Sequence, residues 1–246
     1  MIYEKLIYTN ERGESIELSA NSLFHCNVSK DVDGLIGVTN IIYSTSSMGQ
    51  HGDTYIGQRI EARDIDIAGH INTRDKEHAY ELRRRLLKTF NPELSGTLAY
   101  EYGSFKRVID CRVHGEPKVV RKSVLQEFNV PLDCLNPFWR EENEQKEDIA
   151  SWVASWEFPC EIEKDNSQSM IFGYRAESVI VDCYNEGDVS TGMKVRFTAL
   201  GRVVNPILLN VDTEKFIKLN VTMQSGDAIE VNTKYGSKGA VLIRNE

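Results

Sequence analysis

Alternation of apolar and polar positions dominates the first half of the chain and predicts strands. Ile2–Leu18 contains two such runs around a turn with a glycine, so we predict a hairpin there. Val38–Ser44 predicts a further strand. Ser46–Gln58 is polar and holds three glycines, which predicts a long loop. In Arg59–Ile71 the alternation shifts partway along the run, and such a shift is typical of a β-bulge.

The stretch from Asn72 to Pro92 carries the hydrophobic period of a helix. Its apolar residues recur at spacings of three and four, which places them on one stripe. Asn72 or Thr73 is the predicted N-cap, and Asn91–Gly96 ends the helix. Strand patterns resume after it, so residues 1–140 are predicted to form an α+β domain with one helix on an antiparallel sheet or split barrel. The stripe consists of Ala79, Leu82, Leu86 and Phe90.

The second half shows only strand patterns. Short apolar runs alternate with turn signals from residue 152 to residue 246, which predicts a β-sandwich or jelly roll. Residues 141–151 are acidic and without a strand pattern, and they are the predicted linker. The run Val130–Glu141 begins as a buried strand and stops at Pro137, so we expect it to close the first domain, with Phe138 and Trp139 packed at the junction.

Composition narrows the classes of function. The 246 residues carry a net charge of −8, which argues against a general nucleic-acid binder because such proteins need a basic face. No apolar run approaches the roughly 20 residues of a membrane span, and the charged N-terminus does not have the pattern of a secretory signal. The five cysteines form no CxxC pair, so we expect small buried side chains in a reducing compartment.

The chain offers no recognisable catalytic or metal-binding motif. Cys111 and His114 are three apart on a strand and should face opposite sides, and Asp31–Gly34 starts like a calcium loop but lacks its later ligands. We therefore expect no enzyme activity, no metal and no cofactor, and favour an interaction or structural protein. A jelly roll can bind sugar through exposed aromatics, for which Tyr174 and Tyr235 are candidates, although packing is the commoner role of such residues.

The order of these features resembles the distal tail protein (Dit) family of siphophages, the phage tail component family. The resemblance rests on the N-terminal hairpin, the loop at Asp33-Gly34-Leu35, and the glycine-rich loop that leads into Arg59–Ile71. It continues through the single helix, the proline-aromatic end of the first domain, and the Asn185–Asp188 turn with the Asn205-Pro206 strand of the second.

This resemblance implies a function and partners. Members of the family form hexameric rings at the distal end of the tail tube, in which the N-terminal domain makes the ring and a galectin-like β-sandwich projects outward. The ring joins the tail tube protein to the tail-associated fibre or lysin protein, and in some phages it carries receptor-binding proteins. The expected location is the virion tail tip, with assembly in the cytoplasm of the bacterial host.

Two loops, near Asp31–Gly37 and at Ser46–Gln58, are the expected ring interface, since glycine-rich loops can order by pairing with a neighbour's sheet edge. The predicted interface residues are Asp33, Gly34, Met48, Gly49, Gln50, His51, Gly52, Asp53, Thr54 and Tyr55.

The alternative function is a carbohydrate-binding module that recognises host cell-wall glycan through the C-terminal sandwich.

Overall fold

The computed structural model describes residues 4–122, 125–148, 150–154, 173–177 and 180–244. The chain divides into two compact units, Met1–Gln145 and Lys146–Glu246. Both are built from strands, and a single long helix lies among the described residues. The prediction of a mainly β chain is therefore confirmed.

Unit 1 contains eleven strands and two helices. They are β1 (Glu4–Asn10), β2 (Ser15–Ser19), β3 (Phe24–His25), α1 (Val28–Asp31), β4 (Val32–Asp33), β5 (Asn40–Thr45), β6 (Thr54–Ile60), β7 (Arg63–Ile71), α2 (Lys76–Thr89), β8 (Ser95–Tyr102), β9 (Phe105–Val113), β10 (Lys118–Lys122) and β11 (Leu125–Cys134).

Seven of these strands close into a barrel. Their order is β11-β9-β8-β1-β2-β3-β7, and β7 pairs with β11 to complete the circle. The β2–β3 contact is parallel and all other barrel pairings are antiparallel. β10 and β4 extend the sheet at the two ends of this order. Closure removes the free edges that an open sheet would expose.

The barrel interior is filled by the inward face of each strand. Along β7 the odd-numbered residues are buried except for the half-buried Gly69, and the even-numbered residues are partly or fully exposed, as the period of two requires. Helix α2 adds the predicted stripe, of which Leu82, Leu86 and Phe90 join the same core and Phe90 stacks on Tyr8 at 4.2 Å between ring centroids. The helix begins two or three residues after the predicted caps, because the Asp75 carboxylate caps it by accepting from the Glu77 backbone N–H at 3.1 Å.

The described part of unit 2 contains only strands. β14, β19 and β20 form a three-stranded antiparallel sheet, and the other strands pair two by two. Ala199, Met223, Ile229 and Val231 form its buried core. The strands are β12 (Ala150–Ala154), β13 (Gly173–Glu177), β14 (Lys194–Thr198), β15 (Val203–Val204), β16 (Ile207–Asn210), β17 (Lys215–Lys218), β18 (Thr222–Met223), β19 (Ala228–Asn232) and β20 (Gly239–Ile243).

Three local predictions were wrong. The shift within Arg59–Ile71 is a break between two strands and not a bulge, since β6 and β7 belong to different sheets. The strand pattern expected from residue 152 onward fails at Ile180–Tyr184, where no strand forms and the apolar residue Ile180 is exposed. Cys183 is also exposed, so the expectation that all five cysteines are buried fails there.

Candidate functional site

A two-stranded hairpin lies outside the barrel sheet. β5 and β6 pair only with each other among the described strands, and we call Ile36–Ile60 the arm. Nearly all of its residues are exposed, including eight large apolar side chains. Ile36 is 96% exposed, Ile56 66% and Ile42 61%. The eight are Ile36, Val38, Ile42, Tyr43, Met48, Tyr55, Ile56 and Ile60.

The arm exposes apolar groups on both faces. Ile42 and Tyr43 are neighbours in β5 and therefore point to opposite faces of the hairpin, yet both are exposed. Only Asp53 and Arg59 carry full charges within the arm, whereas charged residues make up 27% of the chain. A flat, charge-poor hairpin with two unpaired edges is the kind of surface that pairs with another chain.

The tip of the arm is an ordered turn. Gly49 and Gly52 adopt positive φ angles of 85° and 77°, a conformation that glycine adopts without strain. The Gln50 side-chain amide donates to the Thr54 hydroxyl at 2.8 Å, and the Ser44 hydroxyl donates to the Asp53 carboxylate at 3.2 Å. The predicted loop Ser46–Gln58 is therefore too long, because Thr54–Gln58 belongs to β6. The sequence did not indicate this part of β6, because its residues are nearly all exposed and alternation can be recognised only where one face is buried.

The structure separates the predicted interface residues into two groups. Met48, Gly49, Gln50, His51, Gly52, Asp53, Thr54 and Tyr55 lie together at the tip and the start of β6, and all are exposed. Asp33 and Gly34 lie at the other end, where the chain leaves the barrel to enter the arm. The two groups are therefore not neighbours, although one element connects them.

Gly34 sits against the barrel wall. Its φ is +83°, and a Cβ atom at this position would lie 1.9 Å from the backbone oxygen of Asp64. Both the backbone conformation and the close approach to β7 therefore require glycine. This contact fixes the point from which the arm begins.

A buried arginine holds the same point. Arg63, the first residue of β7, is 7% exposed, and its guanidinium donates to the carbonyl oxygens of Gly34 and Leu35 at 2.7 Å each. Its Nε donates to the Pro137 carbonyl at 2.9 Å. Burial lowers the pKa of this guanidinium, and the three carbonyls compensate for part of the lost hydration.

Trp139 completes this cluster. Its indole Nε1 donates to the Leu35 carbonyl at 3.1 Å, and the Arg63 guanidinium carbon lies 5.9 Å from the ring centroid. We call Gly34, Leu35, Arg63, Pro137 and Trp139 the root of the arm. Trp139 packs on the barrel, with its ring 6.1 Å from the ring of Tyr100 between centroids.

The sequence did not reveal the root. A buried arginine is rare, so Arg63 does not stand out in the sequence as a core residue, although it is in phase with the buried Ile65 and Ile67. The available signals were the break in alternation before β7 and the bulky aromatic residue after Pro137. Neither signal says that the two segments meet.

Titratable groups on the barrel exterior form small clusters. The Asp64 and Asp133 carboxyls are hydrogen-bonded across β7 and β11, which raises the pKa of Asp64. His114 Nδ1 lies 3.2 Å from an Asp133 carboxylate oxygen, while Cys111 is buried on the opposite face of its strand. Within the described ranges, no group of three or more His, Cys, Asp or Glu side chains is arranged to hold a metal ion.

The candidate sugar platform is only partly described. Tyr235 lies in the turn between β19 and β20 and is 94% exposed. Tyr174 is a residue of β13, and its side chain lies outside the described part of the structure. Among the described helices, none combines the length and the apolar character needed to cross a bilayer.

Comparison with known proteins gives a family match for part of unit 1. Residues 21–134, a little under half of the chain, match the phage tail protein RIFT-related domain family. This segment includes the arm, α2 and most barrel strands. No curated protein sequence matches the chain significantly.

Solved structures share the fold along nearly the whole chain. Two structures of the phage p2 baseplate in its activated conformation, one with Sr and one with Ca, match at TM-scores of 0.54 and 0.53 with 13% and 12% identity. Each match covers 98% of this chain and 83% of the other. The Dit protein of phage SPP1 matches at a TM-score of 0.47 and 12% identity over 92% of this chain and 79% of that one.

The family match and the shared fold agree with the resemblance found in the sequence. The similar proteins are components of phage tails and baseplates. Residues 21–134 accordingly carry a domain of the phage tail protein RIFT-related family, and the chain as a whole shares its fold with the phage p2 baseplate structures.

Proposed function

We propose that this chain is a structural hub of the tail tip, in which six copies close into a ring through unit 1. The observation that carries the proposal is the arm, an exposed and charge-poor hairpin attached to a closed seven-stranded barrel. A ring requires one surface of each copy to bind a different surface of the next copy.

The arm supplies one such surface. Each of its two edges can add to a neighbouring sheet by backbone hydrogen bonds, and its apolar faces gain burial in the same step. β10 supplies a complementary surface, since it ends the strand order of the barrel sheet and pairs only with β11 among the described strands. We infer that the arm of one copy reaches the sheet of the next, with the root fixing its direction.

The further partners follow from the family resemblance. In this proposal the ring joins the tail tube protein to the tail-associated fibre or lysin protein at the virion tail tip, and receptor-binding proteins can attach to it. Assembly takes place in the cytoplasm of the host. The fold shared with the phage p2 baseplate supports this placement.

The first test is the solution mass of the purified chain, measured by light scattering together with negative-stain images. One copy has a mass of 28.0 kDa, and the proposal expects a species of six times that mass with a central hole. Deleting Met48–Tyr55, or combining Ile42→Asp with Ile56→Asp, should give folded monomers. A mass of one copy for the unmodified chain, or intact rings from the deletion, would contradict the proposal.

A matched control uses exposed apolar residues of another hairpin. Ile207 and Leu209 in β16 are each 55% exposed, similar to the arm positions. The variant with Ile207→Asp and Leu209→Asp should keep the ring. If it lost the ring as the arm variant does, the effect would come from general loss of apolar surface and not from the arm.

Sugar binding by unit 2 is the alternative function, and the exposure of Tyr235 favours it. Binding to a host-wall glycan that is lost in Tyr235→Ala would support it. Unchanged binding in that variant would remove Tyr235 from the proposed platform.

A further inference from the structure

Two buried cysteines lie at a short seam of the barrel. Cys111 belongs to β9 and Cys134 is the last residue of β11, and both side chains point into the core. They are 4% and 0% exposed. β9 and β11 pair at only two positions, Val113 with Leu132 and Arg112 with Asp133.

The register places the two cysteines opposite each other. Continuing it by one position beyond Arg112 and Asp133 pairs Cys111 with Cys134. The His114 N–H donates to the Pro131 carbonyl at 2.9 Å, so the even-numbered residues of β9 make the hydrogen bonds of this seam. Cys111 and Cys134 therefore form a non-hydrogen-bonded pair, in which side chains approach most closely and the Cα atoms are about 4.5 Å apart.

This geometry is compatible with a disulfide. Disulfides join Cα atoms separated by about 4.4–6.8 Å, so the seam needs no large rearrangement to form one. The Cys134 thiol raises the pKa of the Cys111 thiol, in agreement with the proximity that this register gives. Cys26 is equally buried, but it lies between β3 and α1 and has no cysteine opposite it.

We propose that Cys111 and Cys134 are the site of a reversible disulfide that closes the barrel seam when the protein meets a small-molecule disulfide such as oxidised glutathione. One cysteine thiolate attacks oxidised glutathione, forming a mixed disulfide and releasing one glutathione thiolate. The second cysteine, after losing its proton, attacks the protein sulfur of that mixed disulfide and releases the second glutathione. The protein loses two hydrogens, and one glutathione disulfide becomes two glutathione thiols.

The closed barrel protects the thiols from this reaction. The neighbouring Cys134 thiol and burial both raise the pKa of Cys111, so its reactive thiolate is scarce while the seam is intact. Attack requires local opening of β9 from β11, which the two-position pairing permits more readily than the long β7–β11 and β8–β9 pairings would. The disulfide would form slowly and would then prevent the seam from opening again.

The test uses the full chain with Cys160→Ala and Cys183→Ala, so that the remaining cysteines are Cys26, Cys111 and Cys134. The folded protein is held with oxidised glutathione well below its unfolding temperature, then denatured, alkylated and analysed by mass spectrometry. We expect a mass lower by two hydrogens and a linked pair of peptides containing Cys111 and Cys134. The oxidised form should melt about 5 °C higher, and a reductant should reverse the shift.

Two further variants test which two cysteines form the disulfide. Adding Cys26→Ala should leave the disulfide unchanged, whereas adding Cys134→Ala should leave Cys111 without a protein partner. Three thiols that remain alkylatable after prolonged oxidation would overturn the proposal. A bond between Cys26 and either other cysteine, or glutathione adducts alone, would overturn it as well.

Discussion

The barrel and the arm are both built from β-strands, but they differ in how far the strand edges are paired and the strand faces are buried. In the barrel, seven strands close their edges on one another and alternate residues fill a shared core. In the arm, two strands satisfy each other's inner edge and leave both outer edges and both faces to solvent. An isolated two-stranded hairpin is marginal in water, so the barrel is self-sufficient, whereas in the proposed ring the arm gains stability from the next copy.

The largest expected effect comes from the point where the two regions meet. Gly34→Ala places a Cβ 1.9 Å from the Asp64 backbone oxygen and strains a positive φ, so it should cost more than about 3 kcal/mol of unfolding free energy. Gly13→Ala is the matched control, since Gly13 has a similar φ of +79° but open space around its Cβ position, and it should cost about 1 kcal/mol. Equal losses in urea unfolding would show that the close approach to Asp64 does not matter.

A second pair of variants compares how much one apolar side chain contributes to the unfolding free energy in the barrel and in the arm. Leu98 is fully buried in β8, so Leu98→Ala should lower the unfolding free energy by about 3 kcal/mol. Ile42→Ala in the arm should change it by less than about 0.5 kcal/mol in the monomer, because Ile42 is exposed there. A large loss for Ile42→Ala in the monomer would mean that the arm packs on the barrel in solution.

A smaller effect is expected from the cation at the root. Arg63→Met replaces the guanidinium by an apolar side chain and removes its hydrogen bonds to the Gly34 and Pro137 carbonyls, while the Leu35 carbonyl keeps the Trp139 indole as a donor. The variant should cost about 2 kcal/mol of unfolding free energy. Arg59→Met in the arm is the control and should be neutral in the monomer. Chemical denaturation of both variants measures the difference. Wild-type stability in Arg63→Met would show that water replaces the guanidinium at these carbonyls.

The elements with a buried face could be predicted from the sequence. The stripe from Ala79 to Phe90 located α2 because those residues face the core, and the alternation in β1 and β2 located the first hairpin for the same reason. The start of α2 was misplaced because several residues before it can act as caps, and only the structure shows that Asp75 does so. Helix ends are decided by local geometry that a sequence leaves open.

The candidate site was predictable only in part. Glycines in Ser46–Gln58 indicated a turn, and the turn is the tip of the arm. β6 was missed because exposure removes the alternation by which strands are recognised. The root was missed for a different reason, since its residues come from positions 34, 63 and 139 and meet only in the folded barrel.

The way the chain leaves the barrel has a mechanical consequence. After β11 the backbone of Arg140 pairs with Val108 of β9 through hydrogen bonds of 2.8 and 2.9 Å, and the Arg140 guanidinium binds Asp110 at 2.7 Å. A pull on the chain beyond this point first loads the Arg140–Val108 pair and is passed to the middle of β9, before it can reach the end of β11. The Arg140–Val108 pair therefore carries the force first, and the β9–β11 seam at Cys134 carries none until these hydrogen bonds break.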